Sequence, residues 1–282
     1  MGFFYTKMIT QKLNIAIQGY EGCFHQIVAH RFFGTNIITT PCDTFREVAR
    51  KVKSGESDFG VMAVENSIAG SIIANYGILQ DEDVQVSGEV YLPIQQNLMV
   101  LPGTTLDQIT EVESHPMALL QCVDYLDTHP SWRLVESEDT ALSAKRIAAE
   151  GNPHKAAIAS ELAAKLYGLE IIAPEINTIK NNYTRFVVLK RRDGKMAPDA
   201  NKASLYFKTV DKPGALLDAL QTFADVNMTK LQSYPVPAEP WHYMFHVDLE
   251  FDNLDLYFAN LERLQAATEE VHVYGVYHNG LN

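Results

Sequence analysis

The first 190 residues alternate short apolar runs with segments of helical period, and this alternation limits the possible folds more than any other feature. Residues 14–18 and 59–64 are β-rich apolar runs, and between them residues 45–52 carry apolar side chains at helical spacing. Strands that alternate with helices are typical of α/β layers around a mainly parallel sheet. The sequence therefore predicts an α/β fold with a largely parallel sheet.

A polar stretch at residues 191–202, which includes Gly194 and Pro198, breaks this pattern. We interpret it as a linker between a domain at residues 12–190 and a second domain at residues 203–282. The second domain reads as strand, helix, strand, strand, helix and strand at residues 204–210, 215–224, 228–234, 242–251, 254–267 and 271–277. This βαββαβ order is the ferredoxin-like arrangement.

Charge and cysteine content exclude several classes of protein. A formal net charge of −12, without a run of Lys and Arg that could form a basic stripe, would repel a phosphate backbone, so we expect no nucleic-acid partner. Cys23, Cys42 and Cys122 are odd in number and far apart, which predicts neither a disulfide framework nor a zinc site. The sequence has no run of 18 apolar residues and no signal-peptide pattern, so we expect a cytoplasmic protein without membrane contact.

Four polar segments follow predicted strands, where ligands bind in open α/β sheets. They are residues 19–25, 64–71, 114–122 and 181–185. In the first segment, backbone N–H groups around Gly22 either cradle an anion or form a structural turn. In the second, Glu65 and Asn66 either take part in acid–base chemistry or cap the next helix.

The other two segments carry hydroxyl groups. Ser114 and His115 lack the GxSxG elbow of a serine hydrolase, and Gln121 on the following helix is either a site residue or an exposed one. Thr184 and Arg185 join a hydroxyl and a guanidinium at a strand end, where Arg185 either binds an anion or forms a structural salt bridge. No metal-ligand spacing and no nucleotide-binding loop occur, so we expect no metal and no cofactor.

In combination the four segments resemble the prephenate dehydratase family. That family has a glycine-rich turn, a Val-Glu-Asn-Ser type segment, a Ser-His-Pro segment and a Thr-Arg-Phe segment, in this order. Here they are Gly-Tyr-Glu-Gly-Cys-Phe-His at 19–25, Val-Glu-Asn-Ser at 64–67, Ser-His-Pro at 114–116 and Asn-Tyr-Thr-Arg-Phe at 182–186. The resemblance covers nearly the whole chain, because members usually append an ACT domain with a Gly-Ala-Leu segment, here at 214–216.

The resemblance implies a fold, an assembly and a set of site residues. It implies two α/β subdomains like those of periplasmic solute-binding proteins, with the active site in the cleft between them, and a homodimer or homotetramer. The expected catalytic residues are Thr184, Glu65, Asn66, Gln121 and Ser114. The expected substrate-binding residues are Gly22, Cys23, His25, Ser67, His115 and Arg185.

The first motif departs from the family pattern at three positions. Tyr20, Cys23 and His25 stand where the family commonly has Pro, Thr and Ser, so two hydroxyl donors are lost. We expect the Cys23 thiol to act as a spacer of similar size and His25 to supply the missing donor.

The resemblance also implies that phenylalanine, the end product of the pathway, binds the ACT domain and inhibits. The expected contacts are Gly214, Ala215, Leu216, Gln232 and Ser233. Gln232 and Tyr234 replace a glutamate and an arginine of the regulatory segment in the family, so we expect weaker inhibition.

The resemblance implies a lyase of phenylalanine biosynthesis that converts prephenate to phenylpyruvate. Two alternatives remain open at this point: an arogenate dehydratase, and a non-catalytic two-lobed sensor of small molecules.

Overall fold

The computed structural model describes residues 12–236, 239 and 242–281, and contains three β-sheets with helices packed against them. The first unit holds residues 13–93 together with a returning strand at residues 183–191, the second unit holds residues 97–173, and the C-terminal unit holds residues 202–277. The predicted α/β class with two subdomains and a ferredoxin-like unit is confirmed.

The first unit is a six-stranded sheet with strand order β2-β1-β3-β11-β5, and β4 pairs with β3. Its elements are β1 (Leu13–Gln18), α1 (Phe24–Phe33), β2 (Ile37–Cys42), α2 (Phe45–Ser54), β3 (Phe59–Asn66), β4 (Gly70–Ser71), α3 (Ile73–Asp81), β5 (Val84–Pro93) and β11 (Tyr183–Arg191). The prediction of a largely parallel sheet is wrong. β1 pairs in parallel with β2 and β3, but β11 pairs antiparallel with β3 and β5, because the chain leaves this unit after β5 and returns through β11.

Local sequence explains where these elements begin and end. Thr44 caps α2 by accepting a hydrogen bond from the backbone N–H of Glu47, and Gly55 ends the helix in the left-handed conformation that favours glycine. The turn from β1 into α1 runs through the glycine-rich segment at residues 19–23.

The second unit is a five-stranded sheet with strand order β10-β6-β9-β7-β8. Its elements are β6 (Asn97–Val100), a 3-10 helix (Leu106–Gln108), β7 (Glu111–Ser114), α4 (Pro116–Gln121), α5 (Val123–Asp127), β8 (Arg133–Glu136), α6 (Thr140–Glu150), β9 (Lys155–Ala159), α7 (Glu161–Tyr167) and β10 (Glu170–Ala173). Asp139 and Ser160 cap α6 and α7, accepting hydrogen bonds from the N–H groups of Leu142 and Ala163.

The C-terminal unit is a four-stranded antiparallel sheet with strand order β13-β14-β12-β15. Its elements are β12 (Lys202–Lys208), α8 (Ala215–Gln221), β13 (Asn227–Pro235), β14 (Tyr243–Glu250), α9 (Leu254–Ala267) and β15 (Glu270–Tyr277). The order is βαββαβ, and α9 has the predicted bounds, whereas α8 ends three residues earlier than predicted.

The two faces of the first sheet bury different partners. On one face, Val61, Ala63 and Phe186 pack in a core that continues into the second unit. On the other face, Met62, Val64 and other apolar residues pack against the C-terminal unit. The central sheet is therefore shared by all three units.

The contact between the first and C-terminal units also contains buried charges. Arg185 on β11 pairs with Glu89 on β5 (Nε to Oε2, 2.7 Å) and with Asp248 on β14. Lys202 on β12 pairs with the second oxygen of Glu89 at 3.0 Å. Burial alone would raise the pKa of Asp248, but the Arg185 guanidinium lowers it below its usual value. The network therefore keeps its ions charged inside the molecule.

Glycine allows the two backbones to meet at this interface. A Cβ atom at Gly275 on β15 would overlap the carbonyl oxygen of Val86 on β5. Only a residue without a side chain allows strands to approach this closely.

In the described residues, no helix is long and apolar enough to cross a membrane.

Replacing Asp248 with alanine should lower the free energy of unfolding by about 3–5 kcal/mol, because it leaves the buried Arg185 short of a partner. The matched control is Asp225→Ala, which breaks the half-exposed pair of Asp225 with Arg263 and should cost at most about 1 kcal/mol. Urea unfolding of both variants measures the difference. Equal losses in the two variants would show that the buried network contributes no more than a surface ion pair.

Candidate functional site

A cleft of about 460 Å³ lies between the first and second units. Strand ends of the first unit and helix starts of both units form its walls. The polar side chains of the first unit that line it include those of Gln18, His25, Asn66, Ser71 and Thr184. Those of the second unit include His115, Gln121, Glu138, Asp139 and Thr140.

Asn66 and Thr184 form the centre of the site. The side-chain Oδ1 of Asn66 accepts hydrogen bonds from the backbone N–H groups of Ile68 and Ala69 at 3.0 and 2.9 Å, which fixes the orientation of the side-chain amide. Its Nδ2 donates to Oγ1 of Thr184 at 3.0 Å. Because the Thr184 oxygen accepts this bond, its own proton is left for a group in the cleft.

Asn182 extends this chain of hydrogen bonds across the cleft. Nδ2 of Asn66 also donates to Oδ1 of Asn182 at 2.7 Å, and Nδ2 of Asn182 donates to Oε1 of Gln121 at 3.1 Å. Gln121 belongs to the second unit, so its Nε2 is a donor from the opposite wall. All bonds in the chain run in the same direction, and hydrogen bonds in such series polarise one another. The chain ends in two donors, the Thr184 hydroxyl and the Gln121 amide.

A β-bulge directs Asn66 into the cleft. Thr184 pairs with Asn66 and Arg185 with Glu65, but Phe186 pairs with Ala63, so Val64 is an extra residue on β3. Val64 and Glu65 consequently both face the C-terminal unit, whereas Ala63 and Asn66 both line the cleft. Bulges beside active sites commonly redirect a side chain in this way.

The structure does not bring Glu65 and Arg185 to the cleft, although both were expected in the site. Adjacent residues of a strand point to opposite faces, so Arg185 faces away from Thr184 and lies in the buried network with Glu89 and Asp248. Glu65 pairs with Lys230 of the C-terminal unit at 2.9 Å. Of the two alternatives for Arg185, anion binding and a structural salt bridge, its geometry supports the salt bridge.

Three further expected residues are also absent from the lining of the cleft. The Ser114 hydroxyl is buried and donates to the carbonyl oxygen of Ile158 at 2.6 Å. The N–H of Gly22 donates to the Gln26 side chain, and a Cβ at Gly22 would lie 2.9 Å from Cα of Ala163, so this glycine serves close packing rather than an anion cradle. Ser67 accepts a hydrogen bond from the N–H of Tyr183 on the exposed side.

Cys23 and His25 both line the cleft. Burial raises the pKa of the Cys23 thiol to about 12, and the thiol contacts the carbonyl oxygen of Gln18 at 3.5 Å, as fits an uncharged spacer. The imidazole of His25 packs against Phe45 and Phe186, and burial lowers its pKa to about 3. Its Nε2 has no hydrogen-bond partner among the described residues.

His115 also lines the cleft, but it does not form a catalytic pair with Ser114. Its Nδ1 accepts a hydrogen bond from the N–H of Met117, so it caps α4. Within the described residues, no group of three or more His, Cys, Asp and Glu side chains is arranged to hold a metal ion.

Helix starts supply the positive potential of the cleft. None of the described residues that line it is Lys or Arg, but α1, α4 and α6 all begin at its walls. Backbone N–H groups at a helix start carry partial positive charge. The two carboxylates there are engaged, since Glu138 pairs with Arg146 at 2.9 Å and Asp139 caps α6.

Sequence reasoning missed two residues of the cleft region. Asn182, which joins Asn66 to Gln121, stands in a segment that was singled out, and its place two residues before Thr184 was the available signal. Gln96 was not singled out at all. A pair of glutamines between the apolar runs of β5 and β6 was the only indication.

The expected regulatory residues lie at two places in the C-terminal unit. Gly214 precedes α8 with a φ of 84°, followed by Ala215 and Leu216 in the first turn. Gln232 and Ser233 lie on β13, the edge strand of its sheet.

Comparison with known proteins identifies relatives over nearly the whole chain. The family model described as prephenate dehydratase matches residues 15–194. The bifunctional chorismate mutase/prephenate dehydratase of Aquifex aeolicus is 37% identical over 245 residues, which cover 86% of this chain and 67% of that protein.

Two solved structures share the fold over the same extent. A prephenate dehydratase from Arthrobacter aurescens, in complex with L-Phe, has a TM-score of 0.85 at 26% identity and covers 95% of this chain and 90% of its own. A protein described as a novel type of quorum quenching acylase has a TM-score of 0.84 at 30% identity and covers 94% of this chain and 98% of its own.

The buried His25 should make the protein less stable as the pH falls below about 6.5. The unfolded chain takes up a proton at the ordinary histidine pKa of about 6.5, whereas the folded protein keeps His25 neutral down to a pKa of about 3. Stability from this group is therefore present above the unfolded pKa and is lost as the pH falls, by about 2 kcal/mol at pH 5.

Urea unfolding between pH 7 and pH 5 tests this expectation. His25→Asn should show a shallower pH dependence than the wild type, and His154→Asn, at an exposed histidine, should not. Identical slopes for His25→Asn and the wild type would mean that His25 is not held neutral.

Proposed function

Because the chain belongs to the prephenate dehydratase family, a group of hydro-lyases, we propose that its cleft converts prephenate to phenylpyruvate with Thr184 as the proton donor. The observation that carries this assignment is the chain of hydrogen bonds that begins at two backbone N–H groups and ends at Thr184 and Gln121. Its final donors suit a reaction in which an oxygen leaves with negative charge.

The reaction breaks two bonds of the substrate ring. The bond from the ring to its carboxylate breaks and releases CO2, and the electron pair enters the ring as the carbon–oxygen bond of the ring hydroxyl breaks. The departing oxygen takes a proton through Thr184 and leaves as water, and solvent replaces that proton. Since the ring becomes aromatic, the enzyme mainly positions the substrate and stabilises the leaving oxygen.

The substrate carries two carboxylates, and helix starts rather than Arg185 are placed to hold them. Backbone N–H groups at the starts of α1, α4 and α6 are the positive groups at the walls. The Gln121 amide adds a donor from the second unit. Closure of the two units around the substrate would bring these donors together.

The acylase activity named for one structural relative finds no serine–histidine pair at Ser114 and His115 here. The Ser114 hydroxyl is committed to the Ile158 carbonyl, and Nδ1 of His115 to the N–H of Met117. Activated serine nucleophiles instead present a free hydroxyl to a neighbouring base.

We further propose that the C-terminal unit is an ACT domain that binds phenylalanine between two copies of the chain. The start of α8 offers N–H groups to a carboxylate, and the edge strand β13 offers unpaired backbone groups to a second copy. The relative that was solved with L-Phe supports this ligand. A homodimer or homotetramer follows from such a shared site.

Wild-type protein should produce phenylpyruvate from prephenate at neutral pH, and Thr184→Val should lower kcat by about 10²–10⁴, the usual value of a positioned proton donor. Thr184→Ser should restore much of the rate because it keeps the hydroxyl. The control Thr128→Val, at an exposed threonine remote from the cleft, should leave kcat within about twofold.

Ultraviolet absorbance of phenylpyruvate measures these rates, with arogenate assayed in parallel. A Thr184→Val variant as fast as the wild type would remove Thr184 from the mechanism. A faster rate on arogenate would reassign the substrate.

Phenylalanine should bind in calorimetry and weaken the binding of a stable substrate analogue, and the analogue should weaken phenylalanine binding by the same factor. Allosteric coupling is typically about 5–150-fold. Gly214→Val should abolish phenylalanine binding while turnover persists. Gly194→Val is the matched control, since both glycines have positive φ and open space around them, but Gly194 lies outside the C-terminal unit. Absence of heat at millimolar phenylalanine would show that the domain has no such ligand.

A further inference from the structure

Gln96 is a buried amide at the cleft with an unused acceptor. The residue is 3% exposed and lines the cleft, on the connection from β5 of the first unit to β6 of the second. Its Oε1 has no hydrogen-bond partner among the described residues. Burying a polar atom without a partner is unfavourable, so such an atom at a cleft calls for a group that completes it, either a ligand or a water.

The backbone holds this amide in a fixed place. The backbone N–H of Gln96 donates to Oδ1 of Asn177 at 2.7 Å, and the backbone carbonyl oxygen of Gln96 accepts from the N–H of Ile176 at 2.8 Å. The segment at residues 174–182 is the second connection between the two units. The two backbone hydrogen bonds of Gln96 therefore join both connections. The side chain is therefore presented to the cleft from a rigid base.

The chemistry of the cleft determines which ligand atom fits an acceptor. Thr184 and Gln121 end the hydrogen-bonded chain as donors, and these match the oxygens of the substrate. The substrate of the proposed function has two carboxylates and a keto oxygen, all of which accept. Its ring hydroxyl is its only donor, and hence the only substrate group that can satisfy Oε1 of Gln96.

We propose that Gln96 is a specificity residue whose Oε1 accepts a hydrogen bond from the ring hydroxyl of the substrate, an assignment that rests on the proposed function. The same hydroxyl oxygen then accepts from Thr184, so that the two residues together orient the bond that breaks. The aromatic product has no ring hydroxyl and leaves Gln96 without a partner. The site thereby discriminates substrate from product.

Calorimetry in the slow Thr184→Val background tests this contact, because prephenate survives the titration. Adding Gln96→Met, which keeps the volume and removes both polar atoms, should weaken prephenate binding at least about 10-fold. Phenylpyruvate lacks the ring hydroxyl, so its dissociation constant should differ by no more than about threefold between the double variant and the Thr184→Val protein that keeps Gln96. The melting temperature should stay equal or rise, because an unsatisfied buried acceptor has been removed.

The neighbouring Gln95→Met is the matched control, since Gln95 is exposed and its amide donates to Glu175 at 2.7 Å. It should leave binding of both ligands unchanged. A structural role for Gln96, such as a buried water shared with Asn177, predicts a lower melting temperature and unchanged prephenate binding, and that result overturns the proposal. Equal weakening of prephenate and phenylpyruvate also overturns it. If the Thr184→Val protein that keeps Gln96 does not bind prephenate at all, the proposed function is overturned, and this assignment with it.

Discussion

The guanidinium of Arg185 fixes the C-terminal unit against the strand that carries Thr184. It contacts Glu89 on its own sheet, and Asp248 and the Tyr277 hydroxyl on the sheet of the C-terminal unit. A cation this deeply buried is stable only while these partners surround it. The C-terminal unit therefore cannot shift relative to β11 without breaking ion pairs one residue away from the Thr184 hydroxyl. If a ligand moves that unit, Thr184 lies directly beside the ion pairs that must change.

The two faces of the central sheet differ in the kind of polar group they carry. The face toward the cleft holds neutral amides and a hydroxyl, whereas the opposite face holds Arg185, Glu65 and their ionic partners. Neutral groups are less costly to bury than ions, so the cleft can exclude water around a charged substrate. The charges lie where the first and C-terminal units meet, and there each is paired with a charge of opposite sign.

The sequence was sufficient to predict the α/β class, the order of the C-terminal elements and the four segments that surround the site. It was not sufficient to predict which side chains in each segment face the cleft. Glu65 was expected beside Asn66, and strict alternation from Ala63 would indeed turn Glu65 inward. The bulge at Val64 reverses this, and a bulge depends on pairing between strands that are more than 100 residues apart in the chain. Gln96 could not be predicted for a related reason, because the role of a single glutamine depends on how deeply the fold buries it.

The same bulge governs which changes this strand can accept during evolution. Single substitutions on β3 alter one face at a time, so the cleft and the ionic interface can diverge independently. Regular pairing with Val64 retained would instead shift the register by one residue and exchange the two faces beyond it, carrying the Glu65 carboxylate into the cleft and the Asn66 amide into the interface. Deletion of Val64 itself would leave Glu65 and Asn66 opposite Arg185 and Thr184, so it would remove the bulge without exchanging the faces. Selection in this segment therefore acts on the pairing register more than on the number of residues.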